Sequence, residues 1–474
     1  MGQEISSTGF THADFAAFSA RLEEETRHLR ACHAGGGCSS NGPVVGIELE
    51  AWLIDHSGFP APHNQDFLKR LKDPFVVAEL ARFNIELNAP PSPLAGDGLL
   101  QMETQLRASW ERCDTTAHED VDTMVAIGIL PSLRESDLVV ENMTPSNRYV
   151  ALNQEVLKSR KGKPLWIEID CADPDDEPLK TTHDNVTIEA ATTSFQLHLQ
   201  VPPERISPIL NASLILSAPL IALSANSPFL FGHRLWHETR IPLFEQAVQQ
   251  EDGSRQRVTF GSGYLGPDPT AIFQRNLELF PPLLPIAAED PIEEYPCLRL
   301  HNGTIWRWNR PLVGFDDDGT PHMRIEQRVM PSGPTAIDMF ANAAFYYGTA
   351  FKLAQMCEDP EAVMPFERAR TNFYTAAKYG LDAHIDWLDG TRRNVTEVAL
   401  SLLPMARDGL EAQDVDAQLI ERYMDVLHAR LASRQNGAAW QLAHYAKHGD
   451  LLKLTADYLE HQRESNPVHE WAVG

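Results

Sequence analysis

The chain has 474 residues, 43% of them hydrophobic and 22% charged, and 66 acidic against 40 basic residues give a net charge of −26. This is the composition of a globular protein with a large core. The strong negative charge argues against binding to nucleic acid or to an anionic membrane surface. It still allows a phosphate-bearing small molecule to bind at a local cluster of arginines.

Cysteine usage and the first residues predict the compartment. The six cysteines form no CxxC pair and no dense framework, so we expect reduced thiols. The opening MGQEISSTGF has neither a basic segment nor the apolar core of an export signal. We therefore expect a cytoplasmic protein.

The first predicted elements are a helix and a strand of unusual composition. Residues 12–33 have helical spacing, and the Gly-rich HAGGGCSSNG ends that helix. VVGIELEAWLID then alternates as a strand, with Glu48 and Glu50 on the same face as Trp52 and Ile54. A solvated face on an amphipathic strand would explain the two glutamates, so their meaning depends on the strands that follow.

Three further strands repeat this pattern of one polar face. Their polar residues are Asn84, Glu86 and Asn88 in FNIELNA, Gln196, His198 and Gln200 in TSFQLHLQV, and Arg324, Glu326 and Arg328 in MRIEQRVMP. Solvated strand faces usually include Thr, Ser and Lys, and none of these occurs on the four faces. Buried charges are tolerated when they are paired or bound to metal, so the pattern favours a binding site over a solvated face.

Helices are predicted between and after these strands. The predicted segments are 101–130, 206–225, 366–379, 415–434 and 437–460, and the pattern is helical almost throughout from residue 335. The most apolar stretch, 209–231, is interrupted by proline, asparagine and serine residues. We expect it to be a buried helix and not a membrane span.

The order of these elements predicts an α+β fold. Varied insertions separate the strands where regular strand–helix units would be needed for a parallel sheet, so we expect a largely antiparallel one. We predict three parts: an N-terminal helix and linker over 1–42, a catalytic core over 43–380, and a helical part over 381–474 packed on the core.

The polar faces together suggest divalent cations. Glu48, Glu50, Glu86, Glu326 and His198 supply four carboxylates and one imidazole. Residues i and i+2 of a strand are about 6.6 Å apart, so two glutamates at that spacing can converge on one metal or serve two neighbouring ones. Carboxylate oxygens suit Mg²⁺ or Mn²⁺ better than zinc.

Arginines are concentrated in the last part of the predicted sheet. The arginines between 299 and 328 are Arg299, Arg307, Arg310, Arg324 and Arg328, with no lysine among them. Arginine binds phosphate or carboxylate through a bidentate fork and stays charged, which suits a triphosphate. Trp306 and Trp308 in the same segment can stack on a ring or pack in the core, and core packing is the favoured role for each.

Common nucleotide and hydrolase motifs do not explain the chain. GSGYLG at 261–266 fits GxGxxG, but Pro267 and Pro269 follow at once and prevent a dinucleotide-binding helix from starting there. No GxxxxGK[ST] is present, so an ATP site here is not a P-loop. No segment resembles a nucleophile elbow.

The ordered series GIELE, IELN, QLHLQV, ALSANSPF, TRIPLFEQ, RIEQR and AAKYGLDA resembles the glutamate–cysteine ligase type 2 family, from about residue 44 to 450. Members are carboxylate–amine ligases related in fold to glutamine synthetase. This chain differs from the family pattern around 155–190 and 250–300, where it has long insertions, and in HNGTIWRWNRP. These differences bear more on the amine substrate than on the chemistry.

The resemblance implies a curved antiparallel sheet forming a funnel with helices outside, in which ATP and Mg²⁺ activate a carboxylate as an acyl phosphate. The implied Mg²⁺ ligands, for which Mn²⁺ can substitute, are Glu48, Glu50, Glu86, His198 and Glu326. Arg328 would be catalytic, since phosphoryl transfer needs charge neutralisation. The implied ATP and substrate ligands are Arg240, Arg307, Arg310 and Gln196.

The leading hypothesis is therefore a ligase joining glutamate to an amine, with cysteine first among the amines. A phosphotransferase of the guanidino-kinase type and a non-catalytic nucleotide- or amino-acid-binding relative stay open. The predicted partners are small molecules, without nucleic acid or membrane. The sequence leaves the amine and the oligomeric state undetermined.

Overall fold

The computed structural model describes residues 5, 7–119, 122–250, 255–286 and 289–474. The described strands are β1 (Val44–Ile54), β2 (Val76–Ala78), β3 (Asn84–Asn88), β4 (Ser92–Pro93), β5 (Thr123–Val125), β6 (Leu165–Ile169), β7 (Leu179–His183), β8 (Phe195–Gln200), β9 (Phe229–Leu230), β10 (His233–Arg234), β11 (Asn309–Phe315), β12 (Pro321–Gln327), β13 (His384–Asp386) and β14 (Arg392–Asn394). The described α-helices are α1 (His12–Ala34), α2 (Asn64–Leu71), α3 (Gly98–His118), α4 (Asn147–Ser159), α5 (Pro203–Ser224), α6 (Arg240–Ala247), α7 (Ala271–Leu279), α8 (Pro296–Gly303), α9 (Ala336–Ala354), α10 (Pro360–Val363), α11 (Phe366–Tyr379), α12 (Val395–Glu411), α13 (Ala417–Ser433), α14 (Gly437–His448) and α15 (Leu451–Glu464).

The centre of the molecule is an eight-stranded sheet in which every pair of neighbours is antiparallel. Six strands lie in the order β11–β12–β8–β1–β3–β2, and β4 and β5 pair with the two ends of β1. Helices dominate from α9 onward. The predicted α+β architecture, with an antiparallel sheet and a helical C-terminal third, is confirmed. The division into three parts stays a prediction.

One face of this sheet is apolar and covered by helices. Leu49, Leu197, Leu199 and Ile325, from β1, β8 and β12, are fully buried in one large hydrophobic cluster that also includes most of α5 and α9. Because strand side chains alternate, the same strands turn their polar residues to the opposite side. The hydrophobic face therefore fixes the register that brings the polar residues together.

The polar face of β1 ends at Trp52, which answers why a tryptophan follows two glutamates. Trp52 is fully buried and stacks on Phe83 with ring centroids 5.5 Å apart, and its Nε1 donates to the Ile127 carbonyl at 3.1 Å. A second hydrophobic cluster, which includes Trp440 and Tyr458 of the C-terminal helices, covers this end of the strand. On this face of β1, Trp52 and Ile54 therefore belong to the second hydrophobic cluster, whereas Glu48 and Glu50 do not.

Helix α5 is the buried helix predicted from the apolar stretch. It is the one described helix with the length and hydropathy of a membrane span, and 94% of its most apolar window is buried inside the protein. It packs against α9, α11 and the sheet. Its composition is therefore explained by its position in the core.

Helices α9 and α12 cross with their backbones in contact. A Cβ added at Gly348 would lie 2.1 Å from the Ala406 carbonyl oxygen, and one added at Gly409 would lie 1.9 Å from the Gly348 carbonyl oxygen. Helix α9 in turn holds the sheet, since the Tyr347 hydroxyl donates to the His198 carbonyl at 3.1 Å. Two glycines thus allow the close approach of α9 to α12.

Two predicted helices differ from those in the structure. The segment 101–130 was expected to be one helix, but α3 ends at His118 and β5 follows, because Thr123–Val125 pairs with the end of β1. The segment 437–460 is divided into α14 and α15, because Gly449 adopts a left-handed conformation with φ of 65° and Asp450 caps the next helix. Helix α11 has the predicted bounds.

Candidate active site

The register of the sheet brings most of the predicted polar residues together. The directly opposed pairs are Glu50 and Glu86, Glu48 and Gln196, His198 and Glu326, and Arg310 and Glu326. Opposed residues of antiparallel strands have Cβ atoms about 5 Å apart, so these side chains form one continuous surface. The five predicted metal ligands and Arg328, Arg310 and Gln196 belong to this surface.

Glu48, His198 and Glu326 form its tightest group. One potential ligand atom from each lies within 4.8 Å of the others, and His198 Nε2 is 3.0 Å from Glu48 Oε1. Two carboxylates and an imidazole in a largely buried position are donors that Mg²⁺ and Mn²⁺ accept. The residues present therefore fit such a cation.

Arginines keep the carboxylates of this group charged. Burial has the largest single effect on Glu48 and would raise its pKa, but His198 and, more weakly, Arg328 act together to lower it. Burial opposes ionisation of Glu326 as well, yet Arg310 and Arg328 lower its pKa to about 2. Arg310 Nε donates to Glu326 Oε2 at 2.5 Å, and Arg328 Nη1 donates to the same oxygen at 3.2 Å.

The His198 ring is held from both sides. Arg324 Nε donates to Nδ1 at 3.2 Å, while Nε2 faces Glu48. Since a guanidinium can only donate, Nδ1 is the acceptor and Nε2 carries the proton toward Glu48. Arg324 therefore orients the imidazole that faces the predicted cation site.

Glu50 and Gln196 connect this group to the neighbouring strand. The Ser194 N–H donates to Glu50 Oε2 at 2.7 Å, and Gln196 Nε2 donates to Glu50 Oε1 at 3.0 Å. The amide oxygen of Gln196 accepts a hydrogen bond from Arg328 Nη1. Gln196 thus fixes the positions of Glu50 and Arg328 relative to each other.

A second acidic group contains a residue that the sequence analysis missed. Glu79 follows β2, and its carboxyl is hydrogen-bonded to that of Glu86, which also accepts from Asn88 Nδ2 at 2.8 Å. Burial and repulsion by Glu48 raise the pKa of Glu86 to about 7, and burial and Glu86 raise that of Glu79 well above its ordinary value. Burial and repulsion by neighbouring carboxylates thus disfavour the ionised form of both carboxyls.

Glu189 is a further acid that the sequence analysis did not find. It lies in a short 3₁₀ helix, Val186–Ala191, within the insertion before β8. Burial and the charge of Glu50 raise the pKa of its carboxyl to about 8. Neither Glu79 nor Glu189 belongs to a strand, so alternation gave no indication of their direction.

A cavity of about 360 Å³ extends over the polar face. The order of the strands gives it two unlike sides. On the side of β11 and β12 the basic lining residues are Arg299, Arg310, Arg324 and Arg328, and Glu326, Asp290 and Glu294 are acidic lining residues there. On the side of β1, β3 and β2 the acidic lining residues are Glu48, Glu50, Glu79, Glu86 and Glu189. The arginine side suits phosphates, and the acidic side suits cations.

Arg240 and Arg307 do not line this cavity. Arg240 is buried and its Nε donates to Glu238 Oε1 at 3.1 Å, in a pair within the core. Arg307 is buried beside the ring of Phe280, with its guanidinium carbon 5.8 Å from the ring centroid. Substrate contacts of these two arginines stay predictions. Their buried positions outside the cavity lining do not favour such contacts.

Solved structures share this fold. A glutamate–cysteine ligase from Francisella tularensis, in complex with AMP, aligns with a TM-score of 0.52 and 13% identity over 89% of each chain. A bifunctional glutathione synthetase from Pasteurella multocida aligns with a TM-score of 0.55 and 12% identity, over 89% of this chain and 53% of that chain. Among curated proteins, none matches the sequence. At these identities the structural likeness shows the fold.

The family match gives the class of protein, a carboxylate–amine ligase. The model of glutamate–cysteine ligase family 2 (GCS2) matches residues 44–457, and the chain belongs to that family. The resemblance seen in the sequence is therefore confirmed.

Proposed function

We propose that this ligase uses ATP and Mg²⁺ to join a glutamate-like carboxylate to an amine, with cysteine as the first amine to test. The carrying observation is the group Glu48, His198 and Glu326, with ligand atoms within 4.8 Å of one another, beside Arg310 and Arg328. The AMP complex of the similar ligase from Francisella tularensis supports a nucleotide site in this fold.

The residues of the polar face divide into two sets of cation ligands. Glu48, His198 and Glu326 would hold one Mg²⁺ or Mn²⁺, and Glu50, Glu79 and Glu86 would hold another. A cation held by these residues would supply charge neutralisation for the phosphates. Glu79 and Glu86 would have to be ionised to hold a cation.

In the first step, an oxygen of the substrate carboxylate attacks the γ-phosphorus of ATP. The bond from that phosphorus to the bridging oxygen breaks, ADP leaves, and an acyl phosphate forms. Arg328 lines the cavity with a fixed guanidinium that can stabilise charge spreading over the transferred group. Arg310 holds Glu326 in its ionised form for the cation.

In the second step, the amine nitrogen attacks the acyl carbon and the bond from that carbon to the phosphate oxygen breaks. An ammonium substrate loses two protons overall, of which phosphate takes one and solvent the other. The products are an amide and inorganic phosphate.

The test is a coupled assay of ADP release with purified protein, Mg²⁺, glutamate and each amine in turn. We expect ADP release to require both glutamate and an amine, and mass spectrometry to find the amide. Hydroxylamine, a small and mainly uncharged nucleophile, should trap the acyl phosphate as a hydroxamate. Absence of both hydroxamate and ADP release would overturn the proposal.

The same assay distinguishes the alternatives. A stable phosphorylated product without an amide would identify a phosphotransferase. Mg·ATP binding without turnover, measured by calorimetry, would identify a binding protein. No observation in the structure favours either of these over the ligase.

The cellular setting is also a proposal. The six cysteines are free thiols, and the acidic chain fits a cytoplasmic enzyme that acts on small molecules. We propose no nucleic-acid or membrane partner, and we retain the division at residues 42 and 380.

A further inference from the structure

The Val186–Ala191 3₁₀ helix forms part of the cavity wall at its acidic side. Asn185 Oδ1 accepts from the Thr187 N–H at 2.9 Å and caps the 3₁₀ helix. Asn153 Oδ1, from α4, accepts from the Val186 N–H at 3.0 Å. The short helix also packs against α6. It is therefore a fixed part of the wall, and it presents Glu189 to the cavity.

Glu189 differs from the other acids of the cavity because no described residue donates a hydrogen bond to its carboxylate. Glu48, Glu50, Glu86 and Glu326 each have a side-chain or backbone partner. The charges that act on Glu189 are the repulsive Glu50 and the attractive Arg328. A half-buried carboxylate at such a position gains most from a cationic donor that is supplied by a ligand.

Elements near Glu189 add apolar side chains to this acidic side of the cavity. These lining side chains are Leu152 of α4, Val186 of the 3₁₀ helix, Phe244 of α6, Val248 directly after α6, and Trp306, and Arg148 of α4 lines the cavity as well. The rings of Phe244 and Trp306 meet edge to face with centroids 6.3 Å apart. Tyr149 lines the cavity beside them and lies within the electrostatic field of Glu189. A carboxylate without a hydrogen-bond donor beside several apolar side chains can accept a ligand that has a positive group and a hydrocarbon body.

We propose that Glu189 binds the ammonium group of the amine substrate, and that this substrate is a primary amine with an apolar body larger than the side chain of cysteine. The inference rests on the ligase function proposed above. Glu189 lies near Glu50 and Arg328, so an ammonium held there is next to the acyl phosphate. The apolar body then lies against Phe244, Val248 and Trp306.

Glu189 contributes to binding and orientation in the amide-forming step. The ammonium arrives with three protons, and it must lose one before the nitrogen lone pair can attack the acyl carbon. After the carbon–oxygen bond to phosphate breaks, the nitrogen keeps one proton as the amide N–H. Phosphate carries one of the two released protons and solvent the other, so the step needs no further reactant.

The first experiment compares amines on the wild-type enzyme with glutamate, ATP and Mg²⁺. We expect kcat/KM for isopentylamine and 2-phenylethylamine to exceed that for methylamine and ethanolamine by about tenfold, as the burial of several methylene groups predicts. A preference for small or polar amines, cysteine included, would overturn the apolar part of the proposal.

The second experiment compares Glu189→Gln with wild type on two nucleophiles, the best amine and hydroxylamine. The ratio of kcat/KM for the amine to that for hydroxylamine should fall by about tenfold or more, mainly through KM, because only the amine brings a full positive charge. Glu141→Gln, which removes an exposed carboxylate, is the matched control and should leave the ratio as in wild type.

The outcomes separate the two proposals. Hydroxamate formation with an unchanged ratio in Glu189→Gln overturns the role of Glu189 and leaves the ligase function standing. Failure of the wild type to form any hydroxamate or amide overturns both. Glu189→Gln should fold, since it removes a charge that burial disfavours, and its melting temperature checks this directly.

Discussion

The two faces of the central sheet come from the same strands but carry opposite kinds of side chain. On β1, β8 and β12, the apolar face consists of fully buried aliphatic side chains packed against α5 and α9. The other face places Glu48, His198 and Glu326 within ligand distance of one another and pairs them with arginines. Burial is favourable on the first face and costs free energy on the second.

This difference separates the residues that stabilise the fold from the residues that form the candidate active site. Charges on the polar face are tolerated because the apolar face and the helices behind it supply the free energy of folding. A substitution on one face should therefore change stability, and a substitution on the other should change activity. The following predictions test that division.

The largest effect on stability is expected for Leu197→Ala. Leu197 is fully buried between the sheet and its helices, and truncation of such a leucine costs about 2–5 kcal/mol. We expect a lower urea midpoint, while turnover per folded molecule, measured at low temperature, stays close to wild type. A large loss of turnover at full folding would break the division between the faces.

Arg328→Lys should show the opposite behaviour. It keeps the charge but loses the planar fork that meets Gln196 and Glu326, so turnover should fall by about a hundredfold or more. The affinity for ATP and the urea midpoint should change little, because the interaction serves mainly the transition state. Near-normal turnover would reduce Arg328 to an ion-pair partner of Glu326.

Glu48→Gln and Glu326→Gln should act through the cation. Each removes one negative charge from the group, and we expect the Mg²⁺ concentration for half-maximal activity to rise by about tenfold or more. Glu326→Gln should also weaken Mg·ATP binding in calorimetry. Glu141→Gln serves as the exposed control. If Glu48→Gln raises the Mg²⁺ requirement no more than this control does, Glu48 lies outside the cation site.

The last prediction concerns the effect of pH on the stability of the metal-free protein. The pKa of Glu86 is raised to about 7 and that of Glu189 to about 8, from an ordinary value of 4.5. The folded form thus keeps protons that the unfolded chain has released, so the free energy of unfolding should fall as pH rises from about 5 to 8. The melting temperature in EDTA should decrease over this range, and less so in Glu86→Gln. A melting temperature that rises with pH would contradict these shifts.

Much of the site was predictable because strands alternate. Two residues of one strand two positions apart share a face, so Glu48 and Glu50, or Glu326 and Arg328, follow from the sequence alone. Which strands are neighbours does not follow from the sequence, and the strand order and registers of the structure supply it. The α+β class followed in the same way from the irregular spacing of strands and helices.

The sequence analysis missed the remaining residues because they do not follow the alternation of side chains along a strand. Glu79 and Glu189 lie after a short strand and in a 3₁₀ helix, where spacing does not give direction. Arg307 and Arg310 were grouped by composition, although an odd separation along extended chain puts them on opposite faces. Trp308 packs in the core as predicted, whereas Trp306 lines the cavity.

The contact of α9 with α12 makes the protein intolerant to substitution at two positions that lie outside the candidate active site. Even alanine at Gly348 or Gly409 would put a methyl group within about 2 Å of a carbonyl oxygen, so the two helices would have to separate. Helix α9 carries Tyr347, which holds the backbone of β8 at His198, so the displacement would reach the polar face. In a library of all single substitutions selected for growth, these two glycines should accept no replacement, and a sequence-based search for functional residues would mistake them for part of the active site.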